Sequence, residues 1–362
     1  MKAVIFRVDG NKTIGMGHVM RCLALASAFF RGGYRVIFAM SDVLLLNKIK
    51  SYGFDFVCVD SKFDDYSFQS AIFLDLVKVI APSVVVVDNY SVDSTFLLQI
   101  HNLTQVLYIS EDYDPTIVNA VDYFVNYNIY MNDVTPIQSA GVQMLGTQFT
   151  LLREEFSKPL RDTTPERKTI TVFTGGSDPL NIAPALVQQL VQDEHLFKYR
   201  VFVVSGELNP NIQELITMAS RFNRVTIAIN PSSISDIMDN TSIAVSSGGS
   251  ILYELCSRGI PSISYSIAAN QDRIVQKFDK LGLIPYAGNM KAQKAETIKK
   301  CANLVEKLST SSSYYTEISR RMVDICNKCG ASLVVRTINA AQSMNNNGLS
   351  RYDEHSMSRH EA

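Results

Sequence analysis

The chain has 362 residues, and at roughly 150 residues per domain that predicts about two domains and a tail rather than one small module. Hydrophobic residues at 46% and charged residues at 19% match ordinary globular composition and exclude global disorder. Lys plus Arg at 34 against Asp plus Glu at 35 leave a net charge of −1 with no basic run, so no nucleic acid and no anionic membrane surface is expected as the main partner.

In chain order, Ala3 to Val8 reads as a strand, His18 to Phe30 as a helix, and Tyr34 to Met40 and Phe54 to Val59 as strands. Phe68 to Ile80 is helical, and Val84 to Val87 is four valines in a row, the pattern of a strand buried on both faces. Val92 to Leu103 reads as a helix, Val106 to Ile109 as a strand and Tyr123 to Val125 as another. This βαβ alternation predicts a parallel sheet with helices on both faces. It stops between Leu151 and Lys168, where charged residues and prolines crowd out apolar periodicity. A second cycle then predicts strands at Thr169 to Phe173, Arg200 to Val204, Val225 to Ile229, Ile243 to Val245 and Ser262 to Tyr265. Its helices are predicted at Ala183 to Gln192, Ile212 to Arg221 and Ser250 to Arg258, with closing helices at Lys294 to Leu308, Tyr315 to Cys326 and Leu333 to Met344.

The fold class expected is therefore α/β, two doubly wound Rossmann-like domains facing across a cleft. Residues 1–150 form the first domain, 151–168 the linker, 169–344 the second domain, and 345–362 a polar, disordered tail. Apolar runs fall far short of the roughly 20 residues of a membrane span, so no membrane insertion is expected. Arg7 and Asp9 lie in the opening strand pattern, which argues against a signal peptide. Six scattered cysteines are no disulfide framework, and the protein reads as cytoplasmic.

In doubly wound sheets ligands collect at the carboxyl ends of the strands, so candidate chemistry sits just after them. The first such segment runs from Asp9 to His18 and contains Gly15-Met16-Gly17-His18. Its two glycines let backbone approach a ligand, and the helix that follows offers unpaired N–H groups to an anion. His18 stands at the positive end of that helix, which disfavours a second positive charge and favours a neutral imidazole able to act as a general base on water; a loop-capping role is the alternative. Arg21, one turn on, is either a phosphate partner or a helix-surface charge. Asp88-Asn89-Tyr90 follows the valine strand, with Asp88 either facing the cleft or capping the next helix.

Two glycine- and hydroxyl-rich turns mark the second domain: Gly175-Gly176-Ser177 after its first strand, and Ser247-Gly248-Gly249-Ser250 before a helix that carries Glu254. Both suit phosphate oxygens, and Glu254 suits either ribose hydroxyls or the helix dipole. Asn270 and Gln271 end the loop after Ser262 to Tyr265. No dinucleotide fingerprint or P-loop is present, so no cofactor is expected. Cys326-x-x-Cys329 lacks the partners of a zinc site, and Asp112-Tyr113-Asp114 reads as a solvated turn.

These residues form an ordered series: Arg7-Val8-Asp9, Ile14-Gly15-x-Gly17-His18-x-Met20-Arg21, Asp88-Asn89-Tyr90, Leu151-Leu152-Arg153-x-Glu155-Phe156, Gly175-Gly176-Ser177-Asp178-Pro179, Gly248-Gly249-Ser250-x-x-Tyr253-Glu254, Gly259-x-Pro261 and Asn270-Gln271. The series resembles the UDP-2,4-diacetamido-2,4,6-trideoxy-β-L-altropyranose hydrolases of pseudaminic acid biosynthesis, from the N-terminus to about residue 340. The resemblance implies a GT-B-like fold, a UDP-sugar substrate, water as acceptor, inversion at the sugar C1, cleavage of the C1–O bond and no metal. It implies that His18 holds or deprotonates the water, that Tyr90 and Asn270 line the sugar site, and that Gly248 to Ser250 with Glu254 hold the nucleotide. Gly10 and Asn11 depart from the Ala-Ser that usually follows the acidic position occupied by Asp9. A glycosyltransferase or a hydrolase of a related nucleotide sugar, and a non-catalytic UDP-sugar binding protein, are the competing readings.

Overall fold

A computed structural model describes residues 2–11, 15–59, 66–138, 140–156, 168–206, 209–326 and 329–357, with backbone alone for 66–70 and 345–357. The first half of the chain alternates strands and helices: β1 (Ala3–Val8), α1 (Gly17–Arg31), β2 (Arg35–Met40), α2 (Leu46–Ser51), β3 (Asp55–Cys58), α3 (Tyr66–Ile80), β4 (Val84–Asp88), α4 (Ser94–His101), β5 (Gln105–Ile109), α5 (Pro115–Val118), β6 (Tyr123–Asn126) and β7 (Val142–Leu145). These strands form one parallel seven-stranded sheet in the order β3-β2-β1-β4-β5-β6-β7.

The second half repeats the plan with β8 (Thr169–Phe173), α6 (Ile182–Gln192), β9 (Arg200–Ser205), α7 (Ile212–Ala219), β10 (Val225–Ile229), α8 (Ile234–Asp239), β11 (Ile243–Ser247), α9 (Ile251–Ser257), β12 (Ser262–Ser266), α10 (Ala269–Lys280), β13 (Tyr286–Asn289), α11 (Lys294–Thr310), α12 (Ser312–Val323) and α13 (Gly330–Met357). Its six parallel strands run β10-β9-β8-β11-β12-β13.

The valine run explains itself in this setting. Every residue of β4 is buried. Val84 and Val86 join Val4, Phe6 and Val8 on one face, while Val85 and Val87 join Ile5 on the other. Side chains alternate across a strand, so a central strand with helices on both faces must be apolar throughout. Each buried valine contributes about 1.5–3 kcal/mol relative to exposure.

The strand order reverses direction between β1 and β4 in the first sheet, and between β8 and β11 in the second. A crevice opens outside the carboxyl ends at each such point. The segments singled out in the sequence fall on these two places: Gly15 to His18 follows β1, Asp88 ends β4, Gly175 to Ser177 follows β8, and Ser247 ends β11.

Three expectations about organisation change. The closing helix does not belong with the second sheet: α13 packs on α1 of the first domain, and Gln342 Nε2 donates to Gln105 Oε1 at 2.7 Å. The chain thus crosses between domains twice, and the crossings touch, for a Cβ on Gly330 would lie 2.3 Å from the Thr150 carbonyl oxygen. Second, the helix runs to Met357, through residues expected to form a disordered tail; residues 358–362 lie outside the described residues, as does most of the expected linker, 157–167. Third, Asn270 and Gln271 lie in the first turn of α10 rather than in a loop. That helix is mostly polar, with Ile274, Val275 and Phe278 buried at helical spacing on one face.

Candidate active site

The centre of the first domain's carboxyl edge is a buried ionic cluster. His18, in the first turn of α1, directs Nδ1 to Asp88 Oδ1 at 2.6 Å. Arg21, one turn further, grips the same carboxylate with two prongs, Nε to Oδ2 and Nη2 to Oδ1, both 2.6 Å. A carboxylate only accepts, so Nδ1 is the protonated nitrogen of the His18 ring, although Arg21 Nη2 also lies 3.0 Å from it. In the neutral ring Nε2 is then the acceptor, and it has no partner among the described residues. The ring meets Tyr90 edge-on, with centroids 4.5 Å apart.

Burial alone would push the Asp88 carboxyl up, but Arg21 and then His18 outweigh it and hold it well below the usual carboxylate range. Asp88 is therefore not a cap; α4 is capped by Asp93, which accepts from Phe96 N. Arg21 is neither a surface charge nor free for phosphate: its third nitrogen, Nη1, donates to Glu111 Oε1 at 3.1 Å. Burial pushes the neighbouring Tyr127 hydroxyl up to about 12.

Across the cleft, α10 lays one stripe on this domain at helical spacing. Asn270 Nδ2 donates to Glu111 Oε2 at 2.9 Å and to the Tyr90 hydroxyl at 3.3 Å. The Arg273 guanidinium stands 4.2 Å from the centroid of the Tyr130 ring, and Lys277 Nζ donates to Asp133 at 2.6 Å. The turns also approach one another, since a Cβ on Gly176 would lie 3.9 Å from Met16 Cγ.

Glycine is required at Gly15 and Gly175, whose φ values are +76° and +83°. Gly17 and Gly249 meet open space where a side chain would stand, whereas Gly248 is closed off by Val275 and Gln271. The two glycine turns of the second domain differ in a way the sequence does not reveal. The Asp178 carboxylate accepts from Ile182 N and Ala183 N, occupying the start of α6, while Ser250, the residue before α9, makes no side-chain cap.

Glu254 is held from the interdomain segment. Arg153 donates Nε and Nη2 to its two oxygens at 3.0 Å each and pairs with Glu155 through Nη1 at 2.6 Å. Burial pushes the Glu254 carboxyl up, with Arg153 pulling against it.

Some sequence candidates stand apart from the cluster. Asp9 is buried with Oδ2 on Arg7 and Oδ1 on the Ser41 amide and hydroxyl, so it fastens the ends of β1 and β2. Gln271 spends Oε1 on Ile267 N. Asp112 is a solvent-facing turn residue, as expected, 85% exposed, and Asp114 caps α5. Sequence reasoning passed over Glu111, although it lies just beyond the end of β5, where the strand-end rule would have found it; it also missed the clamp of Arg153 on Glu254.

No protein-family model matches the chain. An uncharacterized protein of Methanocaldococcus jannaschii is 26% identical over 283 residues, 73% of this chain; the match spans only 55% of that protein, about half its length. The chain is 22% identical over 267 residues to the UDP-2,4-diacetamido-2,4,6-trideoxy-β-L-altropyranose hydrolase of Campylobacter jejuni, covering 69% of this chain and 86% of that one. The resemblance drawn from the ordered motifs thus has a curated relative behind it. Among solved structures, MurG of Acinetobacter baumannii superposes with a TM-score of 0.67 at 14% identity, covering 94% of this chain and all of that one. The fold is α/β with two Rossmann-like domains, as in the GT-B glycosyltransferases.

Proposed function

We propose that the protein is a nucleotide-sugar enzyme that hydrolyses UDP-2,4-diacetamido-2,4,6-trideoxy-β-L-altropyranose, a step of pseudaminic acid biosynthesis in the cytoplasm. The observation that carries the reading is the Asp88–His18 pair beside the Tyr90–Asn270 contact across the cleft. Similarity to the Campylobacter jejuni hydrolase supplies the substrate class.

In this reading Asp88 fixes the tautomer and His18 Nε2 accepts a proton from water as its oxygen attacks C1. The bond between C1 and the diphosphate oxygen breaks, its electron pair leaves with UDP, and the sugar is released with inverted anomeric configuration. UDP is a good leaving group and needs no acid; backbone N–H groups of the Gly175–Ser177 and Ser247–Ser250 turns absorb the growing charge. Glu254 accepts from ribose hydroxyls, Tyr90 and Asn270 contact the sugar, and no metal takes part. Incubation with the UDP-sugar in ¹⁸O-labelled water tests this: the label is expected on the sugar, and label on UDP or absence of turnover overturns it.

A second reading, transfer to an acceptor other than water, draws on one observation. Val43 and Leu44, 60% and 56% exposed, stand on the loop after β2 at the carboxyl edge of the first sheet and offer an apolar acceptor a foothold. Transfer of sugar to a lipid or polyketide acceptor, lost in Val43→Ser/Leu44→Ser, would favour it.

A further inference from the structure

We propose that Glu111 is a positioning residue for His18, supplying through Arg21 the negative charge that balances the imidazolium formed when His18 takes a proton. The argument is a count of buried charge. Asp88 is already neutralised, since Arg21 engages both its oxygens at 2.6 Å. With that pair alone, a proton arriving on His18 would leave an uncompensated cation in a low-dielectric site. Glu111 changes the count. Its Oε1 takes Arg21 Nη1 at 3.1 Å, so one guanidinium is shared between two carboxylates. The cluster carries one excess negative charge while His18 is neutral and none once it is protonated.

The other groups facing the ring do not alter this balance. Tyr90 and Cys22 stay neutral because burial pushes their protons on more firmly; Tyr108 and Tyr127 are both pushed up to about 12 in the same way. Arg7 and Asp9 form a closed pair at 2.6 Å, and Asn270 is uncharged. Glu111 is also held in place: its backbone carbonyl accepts from the Tyr130 hydroxyl, and its Oε2 accepts from Asn270 of the second domain at 2.9 Å. The balancing charge is therefore fixed most firmly when the domains are in contact.

Glu111→Gln removes the charge at constant size, and Asp112→Asn removes a charge one residue away that is 85% exposed. The His18 ring resonance, identified by its loss in His18→Gln, is followed by NMR against pH. The midpoint of its protonation is expected to fall by about one pH unit in Glu111→Gln and to stay put in Asp112→Asn. Equal shifts in both variants, or none in either, overturn the proposal, and thermal melts confirm that each variant is folded. The catalytic consequence rests on the hydrolase reading: the acid limb of the kcat/KM profile moves with the ring midpoint. A shifted midpoint without turnover in the wild type would overturn that reading and leave the charge balance standing.

Discussion

His18 Nδ1 and Asp88 Oδ1 lie 2.6 Å apart, joining the first helix to the end of a strand buried along its whole length. The contact fixes which ring nitrogen is left to accept a proton. His18→Gln is expected to lower turnover by about 10²- to 10⁴-fold while UDP affinity, measured by calorimetry, is unchanged. Loss of UDP binding instead would show that the ring serves the nucleotide.

Asp88→Asn replaces the carboxylate that Arg21 grips with a neutral amide while Glu111 still balances the guanidinium, and loss of a charge-assisted hydrogen bond costs about 1.5–3 kcal/mol. A fall in melting temperature at pH 7 reads this out. The folded Asp88 carboxyl titrates below its unfolded counterpart, so as acid is added the unfolded chain takes up the proton first. The stabilisation is whole above the unfolded value, about 3.9, and drains away as pH falls below it. Between pH 6 and 3 the variant is expected to lose less stability than the wild type.

Arg153→Met removes the fork on Glu254 while keeping bulk over the Phe156 ring, whose centroid lies 5.0 Å from the Arg153 guanidinium carbon. Burial then pushes the Glu254 carboxyl up with no Arg153 to oppose it, and in the proposed reading its neutral form accepts from ribose more weakly than the carboxylate. Loss of a charge-assisted hydrogen bond corresponds to roughly 10- to 100-fold weaker UDP binding, with the deficit growing as pH falls. Equal affinity in both proteins would place the nucleotide elsewhere.

Two glycines give opposite outcomes. A Cβ on Gly206 would meet the Gly176 carbonyl oxygen at 2.3 Å, so Gly206→Ala is expected to cost about 1–3 kcal/mol of stability. Gly249 faces open space, so Gly249→Ala is expected to melt like the wild type yet bind UDP more weakly. Thermal melts paired with UDP titration separate the two.

The sequence made the strand-end positions readable because both chemistry and topology leave local marks. Four consecutive valines announce a strand buried on two faces, and the polar residues after β1, β4, β8 and β11 stand where such sheets open. What stayed hidden were partnerships between residues far apart in the chain. Arg21 reads as one more helix charge until Asp88 and Glu111 are seen around it, and Glu254 suits a ribose until Arg153 arrives from the interdomain segment. Short or polar elements were lost for a different reason. The four residues of β7 and the glycine-containing Tyr286–Asn289 of β13 carry too little apolar pattern, whereas α10 has helical apolar spacing at Ile274, Val275 and Phe278 that sequence reasoning passed over in an otherwise polar segment.

Gly330 and Thr150 bring both passages of the polypeptide between the lobes to a single spot. Widening of the crevice is therefore a swing about that pivot, with the smallest travel beside the pin, where Thr147 N also donates to Asn132 Oδ1. The halves share two covalent tethers, so one protease cut in residues 157–167 would nick the molecule without parting it.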